Sequence, residues 1–353
     1  MARNGHQGFG TIFSTLDAMR RAQARGLAVL GFGPAEHGHR VVASGPLWRL
    51  RRYAGPNVGP LVLIVAAPIK RPYIWDLAPT ASAVRYCLQQ GLRLYLLEWS
   101  PPSRRTGACG LAEYADDAMA EAVAALAEDA GAEMPVLMGH SLGGTFAAIF
   151  AALHPERLSG LVLLSAPLCL PPGVSPFRDA LAAMPVSWLS EMEIVPGSLL
   201  TQVSAMASPA TFVWSRVVDA AASAADRRAA EIRPRVEHWA LNEVALPRKL
   251  VRDILQGLYR ENRLCAGTLE IHGRVVRPGD LSLPTLAVAN AGDEVAPPAA
   301  VAPFLEAMAG AETRLIDYPG EAGIVLQHLG ILLGRDAFAR IWPEIVAWIR
   351  AGG

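Results

Sequence analysis

The sequence predicts an α/β fold with a mostly parallel central sheet, helices on both faces and an inserted helical cap. Two observations lead to this prediction. Apolar runs of strand length alternate with helical patterns, and one long stretch without strand signals interrupts that alternation. Continuous apolar strands are typical of parallel sheets covered on both faces. With 353 residues and 52% hydrophobic composition, the chain can form one large domain with an insertion.

The strands are predicted first. From His39, the stretch HRVVASGPLWRLRRYAG indicates two short strands around a Ser-Gly-Pro turn. Six apolar runs then predict the parallel part of the sheet: PLVLIVAAPI (60–69), LRLYLLEW (92–99), MPVLMG (134–139), LSGLVLLSAP (158–167), LPTLAVANAG (283–292) and ETRLIDYPG (312–320).

Helical patterns separate several of these runs. They predict helices near residues 10–25, over 80–91, over 111–131 and at the C-terminus, where Ile341, Ile345 and Trp348 are expected to pack on the sheet. Together these elements divide the chain into four parts: an N-terminal extension (1–38), the first part of the core (39–167), a helical cap (168–260) and the second part of the core (261–353).

The predicted cap belongs over the carboxyl edge of the sheet, where open α/β sheets bind ligands. Its tryptophans are expected to pack in the cap or core, with lining of an apolar pocket as the alternative: Trp188, Trp214 and Trp239.

Composition excludes several functions. The net charge is zero, which argues against nucleic acid or an anionic membrane as a partner. No run approaches the roughly 18 apolar residues of a membrane helix, and no secretion signal is found. Neither a dinucleotide-binding glycine motif nor a metal-ligand cluster is present, so no cofactor and no metal are expected. The cysteines form no C-x-x-C pair, which favours reduced thiols in a cytoplasmic protein: Cys87, Cys109, Cys169 and Cys265.

The motif Gly139-His140-Ser141-Leu142-Gly143 lies where an apolar run meets a helical pattern. This is the G-x-S-x-G nucleophile elbow of α/β-hydrolases, in which small flanking residues let a strand turn sharply into a helix. The turn exposes the serine hydroxyl above the sheet. The amide of Leu142, at the helix N-terminus, can then donate to a developing oxyanion. The motif therefore predicts Ser141 as nucleophile.

A serine nucleophile needs a base, and in this fold the chain order Ser, acid, His favours a late histidine. His328 is the one histidine that follows the last predicted strand. His140 is interpreted as a packing residue that faces away from the nucleophile, and His272 as exposed. We therefore expect His328 to be the base.

The acid should follow a late strand, and Asp293 does so directly. Glu294 is the near alternative and Asp317 the distant one. The acid would accept the imidazole Nδ1 hydrogen and stabilise the imidazolium. A second oxyanion donor is expected from the loop after the first parallel strand; because Pro68 has no amide hydrogen, Ile69 or Lys70 must supply it.

Three further segments, RPYIWDL, LYRENRL and HLGILLGR, identify a resemblance to the polyhydroxyalkanoate synthase family, which covers roughly residues 55–350. The resemblance implies an α/β-hydrolase fold, hydroxyacyl-CoA chemistry, and the triad Ser141, Asp293 and His328. The sequence departs from the family at the nucleophile, because the family has G-x-C-x-G where this chain has Ser141.

This departure favours a serine acyl hydrolase, an esterase or thioesterase acting on hydroxyacyl esters, hydroxyacyl-CoA or short polyester. The alternatives are a polyhydroxyalkanoate synthase that uses serine, and a non-catalytic, granule-associated member of the family. The sequence does not disclose the acyl length or the carrier of the acyl group, and it leaves homodimer formation and attachment to a granule surface open.

Overall fold

The computed structural model describes residues 4–209, 226–308, 310–321 and 326–352, and their side chains from residue 12 onward apart from those of residues 188 and 191. The strands of its central sheet are β1 (His39–Ser44), β2 (Trp48–Tyr53), β3 (Leu61–Val65), β4 (Arg93–Trp99), β5 (Val136–His140), β6 (Gly160–Leu164), β7 (Thr285–Ala289) and β8 (Thr313–Asp317).

The described helices are α1 (Asn4–Leu27), α2 (Ala83–Gln89), α3 (Ala118–Ala130), α4 (Leu142–Leu153), α5 (Pro176–Ala183), α6 (Gly197–Ala207), α7 (Arg227–Leu241), α8 (Arg248–Asp253), α9 (Ala302–Glu306), α10 (Gly330–Leu333) and α11 (Trp342–Arg350). Wider π-type turns precede α3 and α11 and extend α1 and α8: Ala28–Phe32, Glu113–Asp117, Ile254–Arg260 and Ala337–Ile341.

The eight strands form one sheet in the order β1-β2-β4-β3-β5-β6-β7-β8. Strand β2 pairs antiparallel with β1 and β4, and the remaining pairs are parallel. Each strand lies within its predicted run, except that β5 extends one residue beyond its run, to His140. The predicted α/β fold with a mostly parallel sheet is therefore confirmed.

Alternation along the buried strands places side chains on the two faces of the sheet. In β3, Leu61, Leu63 and Val65 join one hydrophobic core, whereas Val62 and Ile64 join the core on the opposite face. This explains why the strands appear in the sequence as unbroken apolar runs. The second core also contains the predicted C-terminal contacts Ile341, Ile345 and Trp348.

A helical region lies between β6 and β7, where the cap was predicted. It contains α5 to α8 and one short antiparallel pair, Ile194–Val195 with Leu246–Pro247. The N-terminal helix α1 packs against α6 and α7 of this region. The predicted limits of the cap, 168–260, stay a prediction, and Trp214 and the side chain of Trp188 lie outside the described residues.

The prediction of reduced cysteines is wrong for one pair. Cys169 and Cys265 form a disulfide bond, with Cα atoms 4.9 Å apart, whereas Cys87 and Cys109 are free. The two bonded cysteines lie 96 residues apart, just after β6 and shortly before β7. Sequence spacing gave no indication of this pairing, because the fold alone brings the two ends of the helical region together.

None of the helices in the described part of the chain is both long and apolar enough to cross a membrane. A short hairpin, Leu269–Ile271 with Arg274–Val276, carries the exposed His272 at its turn, as expected.

Candidate active site

The elbow is built by the end of β5 and the start of α4. Strand β5 ends at His140 and helix α4 begins at Leu142, so Ser141 alone makes the turn, with φ 57° and ψ −135°. A positive φ is uncommon outside glycine and usually marks a functional position when the surrounding structure enforces it. Ser141 is partly exposed, whereas both of its neighbours are buried.

Close backbone packing explains the glycines around the serine. A Cβ on Gly139 would lie 2.5 Å from the Cα of Gly144. A Cβ on Gly143 would lie 2.9 Å from the carbonyl carbon of Ala66 and closer still to the carbonyl oxygen of Val65. Real Cβ atoms do not approach backbone so closely. The elbow therefore packs directly against the end of β3.

His328 and Asp293 come together although they lie on different loops. Asp293 follows β7 and is buried, with 1% of its surface exposed. His328 lies in the short 3₁₀ turn Gln327–Leu329. The Nδ1 of His328 is 2.7 Å from Asp293 Oδ2, and the other carboxylate oxygen accepts hydrogen bonds from the amides of Val295 (2.8 Å) and Ala296 (3.3 Å).

Asp293 is held as a carboxylate. Burial by itself would raise the pKa of this carboxyl group, but His328 and the two amide hydrogen bonds outweigh burial, so the pKa lies below its ordinary value of 3.8. Of the alternative acids, Glu294 accepts a hydrogen bond from the Ser208 hydroxyl, and Asp317 is an exposed residue at the end of β8. Asp293 is therefore the acid that contacts His328.

Ser141 and His328 both line a cavity of about 380 Å³. Within the described residues no hydrogen bond joins the two side chains, and such bonds often tighten only in the substrate complex. Most of the lining is apolar and includes residues from the 3₁₀ turn Pro72–Trp75 after β3, from the helical region between β6 and β7, and from the late loops: Ile74, Trp75, Phe177, Tyr259, Val295 and Leu326. This size and lining suit a small apolar acyl group.

The predicted oxyanion donors lie around the same cavity. Leu142, Ile69 and Lys70 all line it. The Leu142 amide opens helix α4, where backbone N–H groups have no partner within the helix. The loop of Ile69 and Lys70 contacts the helical region between β6 and β7, because the carbonyl of Ile69 accepts a hydrogen bond from the Val244 amide (3.2 Å).

A basic cluster that sequence reasoning missed lies at the same cavity. Lys70 Nζ donates to the carbonyl of Ala240 (2.6 Å) and is 3.4 Å from Glu243. Arg20 of α1, another lining residue, binds both carboxylate oxygens of Glu243 at 3.0 Å. Trp239 also lines the cavity, with its ring 5.7 Å from Lys70 Nζ. No sequence signal could have joined Arg20 to Glu243, because only the docking of α1 brings them together.

The structure places His140 differently from the prediction that it packs facing away from the nucleophile. It is buried but lines the cavity together with Ser141, and its ring lies 4.7 Å from the ring of His328. Its Nε2 is 2.8 Å from the backbone carbonyl oxygen of His328. His140 therefore contacts the residue predicted to be the base.

One group in the described part of the chain could hold a metal ion: Asp116, Asp117 and His272. None of the three lines the cavity. All three already have ion-pair partners, because Asp116 pairs with His154 (2.6 Å) and Asp117 pairs with His272 (3.1 Å).

Comparison with known proteins supports the fold. Residues 84–328 match the family model described as alpha/beta hydrolase fold. Among solved structures, carboxylesterase CesB from Bacillus subtilis aligns with a TM-score of 0.54 at 15% identity, covering 96% of this chain and 99% of that one. The monoacylglycerol lipase of Paleococcus ferrophilus aligns with a TM-score of 0.52 at 16% identity, covering 87% and 99%. At such identities the likeness concerns the fold alone.

Curated relatives of the chain include poly(3-hydroxyalkanoate) polymerase subunits. The poly(3-hydroxyalkanoate) polymerase subunit PhaC of Haloarcula marismortui is 27% identical over 298 residues, which is 81% of this chain and 60% of the relative. That of Haloferax mediterranei is 28% identical and covers 81% and 58%. That of Allochromatium vinosum is 24% identical and covers 86% and 84%. The chain thus spans about three fifths of the length of the first two relatives.

Proposed function

Because the chain belongs to the α/β-hydrolase-fold family, we propose that it is a serine acyl hydrolase, an esterase or thioesterase acting on hydroxyacyl esters, hydroxyacyl-CoA or short polyester. The family and the polymerase relatives indicate an enzyme, either a hydrolase or an acyltransferase. The observation that carries the proposal is the 2.7 Å hydrogen bond between His328 and Asp293 at a cavity that Ser141 also lines.

In the proposed mechanism, the Ser141 hydroxyl attacks the acyl carbon while His328 Nε2 accepts its proton. Asp293 stabilises the resulting imidazolium through Nδ1, and the amides of Leu142 and of Ile69 or Lys70 donate to the oxyanion. The C–O or C–S bond to the leaving group then breaks, and the alcohol or thiol departs with the proton from His328. Water, activated by His328, hydrolyses the serine ester and releases the acid.

Serine at position 141 favours hydrolysis over polymerisation. A polymerase must transfer its growing chain to a new hydroxyl many times, and a thioester on cysteine is a reactive acyl donor for this task. An oxygen ester on serine is a poorer acyl donor, and water is its usual acceptor. We therefore infer that the likeness to polymerases reflects a shared substrate class, with water as the acceptor here.

A polyhydroxyalkanoate synthase that uses serine is the second candidate, since relatives that match more than four fifths of this chain are polymerases. Incubation with 3-hydroxybutyryl-CoA separates the two candidates. Hydrolysis gives free 3-hydroxybutyrate with CoA, whereas polymerisation gives insoluble polyester with CoA. Under the second candidate, Ser141→Cys raises the polymer yield.

The test follows CoA release and polymer together for wild type, Ser141→Ala and Ser141→Cys. We expect CoA and free acid from wild type, no polymer, and a loss of turnover of at least about 10³-fold in Ser141→Ala. A fluorophosphonate probe should label wild type and leave Ser141→Ala unlabelled. Turnover that survives in folded Ser141→Ala contradicts the mechanism. Binding to polyester granules without any turnover would instead support the non-catalytic alternative.

A further inference from the structure

His140 connects the nucleophile elbow to the loop of His328. It is the last residue of β5, directly before Ser141. The centroid of its ring lies 4.7 Å from that of the His328 ring, at a tilt of 43°, and its ring meets the Trp75 ring edge-on at 6.4 Å. The side chain is buried, with 5% of the residue exposed. The contact joins residues that lie 188 positions apart in the sequence.

The partner of His140 fixes its tautomer. Its Nε2 lies 2.8 Å from the backbone carbonyl oxygen of His328, and a carbonyl oxygen can only accept a hydrogen bond. Nε2 must therefore carry the hydrogen. The bond fixes the backbone at the residue whose imidazole would receive the proton from Ser141, whereas Asp293 fixes the far side of the same ring through Nδ1.

His140 also stays neutral where it lies. Burial, followed by the nearby His328, lowers the pKa of His140 to about 3, although the bond to the His328 carbonyl acts in the opposite direction. A neutral neighbour places no positive charge beside His328 when that ring becomes protonated during acyl transfer.

We propose that His140 is a positioning residue for His328: its Nε2–H···O=C bond holds the His328 backbone in register with the nucleophile elbow. The proposal rests on the proposed role of His328 as base. It differs from a packing role, because packing requires only a side chain of similar volume, whereas positioning requires a hydrogen-bond donor at the Nε2 position. These two requirements can be separated by substitution.

The variants His140→Gln and His140→Met make this separation. The amide nitrogen of glutamine lies the same number of bonds from Cα as Nε2 and can donate to the same carbonyl, whereas methionine fills similar volume without a donor. With 3-hydroxybutyryl-CoA as substrate, His140→Met should lower kcat by about 10- to 100-fold, because small displacements of a catalytic group are costly. KM should change less than about threefold. His140→Gln should retain kcat within about threefold of wild type.

A readout without turnover accompanies the kinetics. The proton shared by His328 Nδ1 and Asp293 should give a downfield ¹H NMR signal in wild type and in His140→Gln, and this signal should shift or broaden in His140→Met. His140→Leu replaces His140→Met if the latter does not fold, as judged by its unfolding temperature. The proposal is overturned if a folded variant without the donor keeps both kcat and the signal, or if His140→Gln loses as much kcat as His140→Met.

Failure of the proposed function has a different signature. In that case the turnover does not depend on Ser141, and Ser141→Ala and wild type have the same turnover. The NMR comparison still tests whether His140 positions His328, because the signal depends on the Asp293 contact and requires no substrate.

Discussion

Both carboxylate oxygens of Asp293 accept hydrogen bonds. One oxygen accepts from His328 and the other from two backbone amides, so the carboxylate cannot rotate without losing partners. Position after a late strand predicted Asp293 as the acid, with Glu294 as the near alternative. Glu294 could not be excluded in that way, because the turn from Asn290 to Asp293 decides which of the two carboxylates points at the histidine.

Substitution of Asp293 by asparagine tests this assignment. The asparagine oxygen can keep the amide hydrogen bonds, which leaves its NH₂ facing His328 Nδ1 and enforces the wrong imidazole tautomer. We expect kcat to fall by about 10³- to 10⁴-fold in a folded protein. Glu294→Gln is the matched control and should stay within about threefold of wild type in the same steady-state assay. The reverse pattern would show Glu294 to be the acid.

Acid stability tests the neutral state of His140. Its pKa is about 3 when folded and 6.5 ordinarily, so the unfolded chain binds an extra proton between these values. The contribution of neutral His140 to the free energy of unfolding is fully present above about pH 6.5. It is lost as the pH falls toward 3, at about 1.4 kcal/mol per pH unit. Asp293 does not interfere above its ordinary pKa of 3.8, because its pKa is lowered.

We therefore expect His140→Gln to weaken the pH dependence of the free energy of unfolding between about pH 4.5 and 6.5, by about 1.4 kcal/mol per pH unit. Urea unfolding at several pH values measures the slope. Some slope should remain, because the pKa of the buried His238 is also lowered. An unchanged slope in His140→Gln would mean that His140 titrates normally in the folded protein.

At the scale of elements, the elbow depends on backbone contact that only glycine permits. Gly143 meets the end of β3, and Leu142, Ile69 and Lys70 line the same cavity. The strands and the elbow could be predicted because apolar runs and the glycine pattern are local signals. The π-type turn Glu113–Asp117 could not be predicted, because the helical periodicity of the sequence looks continuous from residue 111.

Gly143→Ala should destabilise the protein by about 3 kcal/mol, because the new methyl group meets backbone that cannot move without disturbing β3. Gly257→Ala is the control. Its nearest neighbour would be Arg263 Cδ at 4.0 Å, so the change should be neutral or stabilise by up to about 1 kcal/mol. Chemical denaturation compares the two. Similar free energies of unfolding for both variants would refute the tight contact.

At the scale of the whole molecule, the sequence order of the core was predictable but the assembly around the cavity was not. Helix α1 lines the cavity through Arg20 and contacts α6 through Asp17, which accepts a hydrogen bond from the Ser198 amide (2.9 Å). Both contacts depend on docking between distant segments. The amphipathic pattern of α1 therefore predicted a helix but not the surface it covers.

The disulfide between Cys169 and Cys265 joins the two ends of the helical region. Leu170 and Asn262 support the same junction through a 2.6 Å hydrogen bond from the Leu170 amide to the Asn262 side chain. Disulfides are rare in reducing compartments, so this bond removes one premise of the predicted cytoplasmic location, which stays a prediction.

Loss of this crosslink should destabilise the protein considerably. Closure of a loop of 96 residues stabilises by about 4–5 kcal/mol in the chain-entropy model, and measured values are often smaller. We expect Cys169→Ser to lower the free energy of unfolding by about 3–5 kcal/mol and dithiothreitol to do the same to wild type but not to the variant. Cys109→Ser, at a half-buried free thiol, is the control and should change stability by less than about 1 kcal/mol.

Thiol titration of the denatured, unreduced chain should find only Cys87 and Cys109. If all four cysteines react there, the bond does not form, and the ends of the cap are held by packing and hydrogen bonds alone.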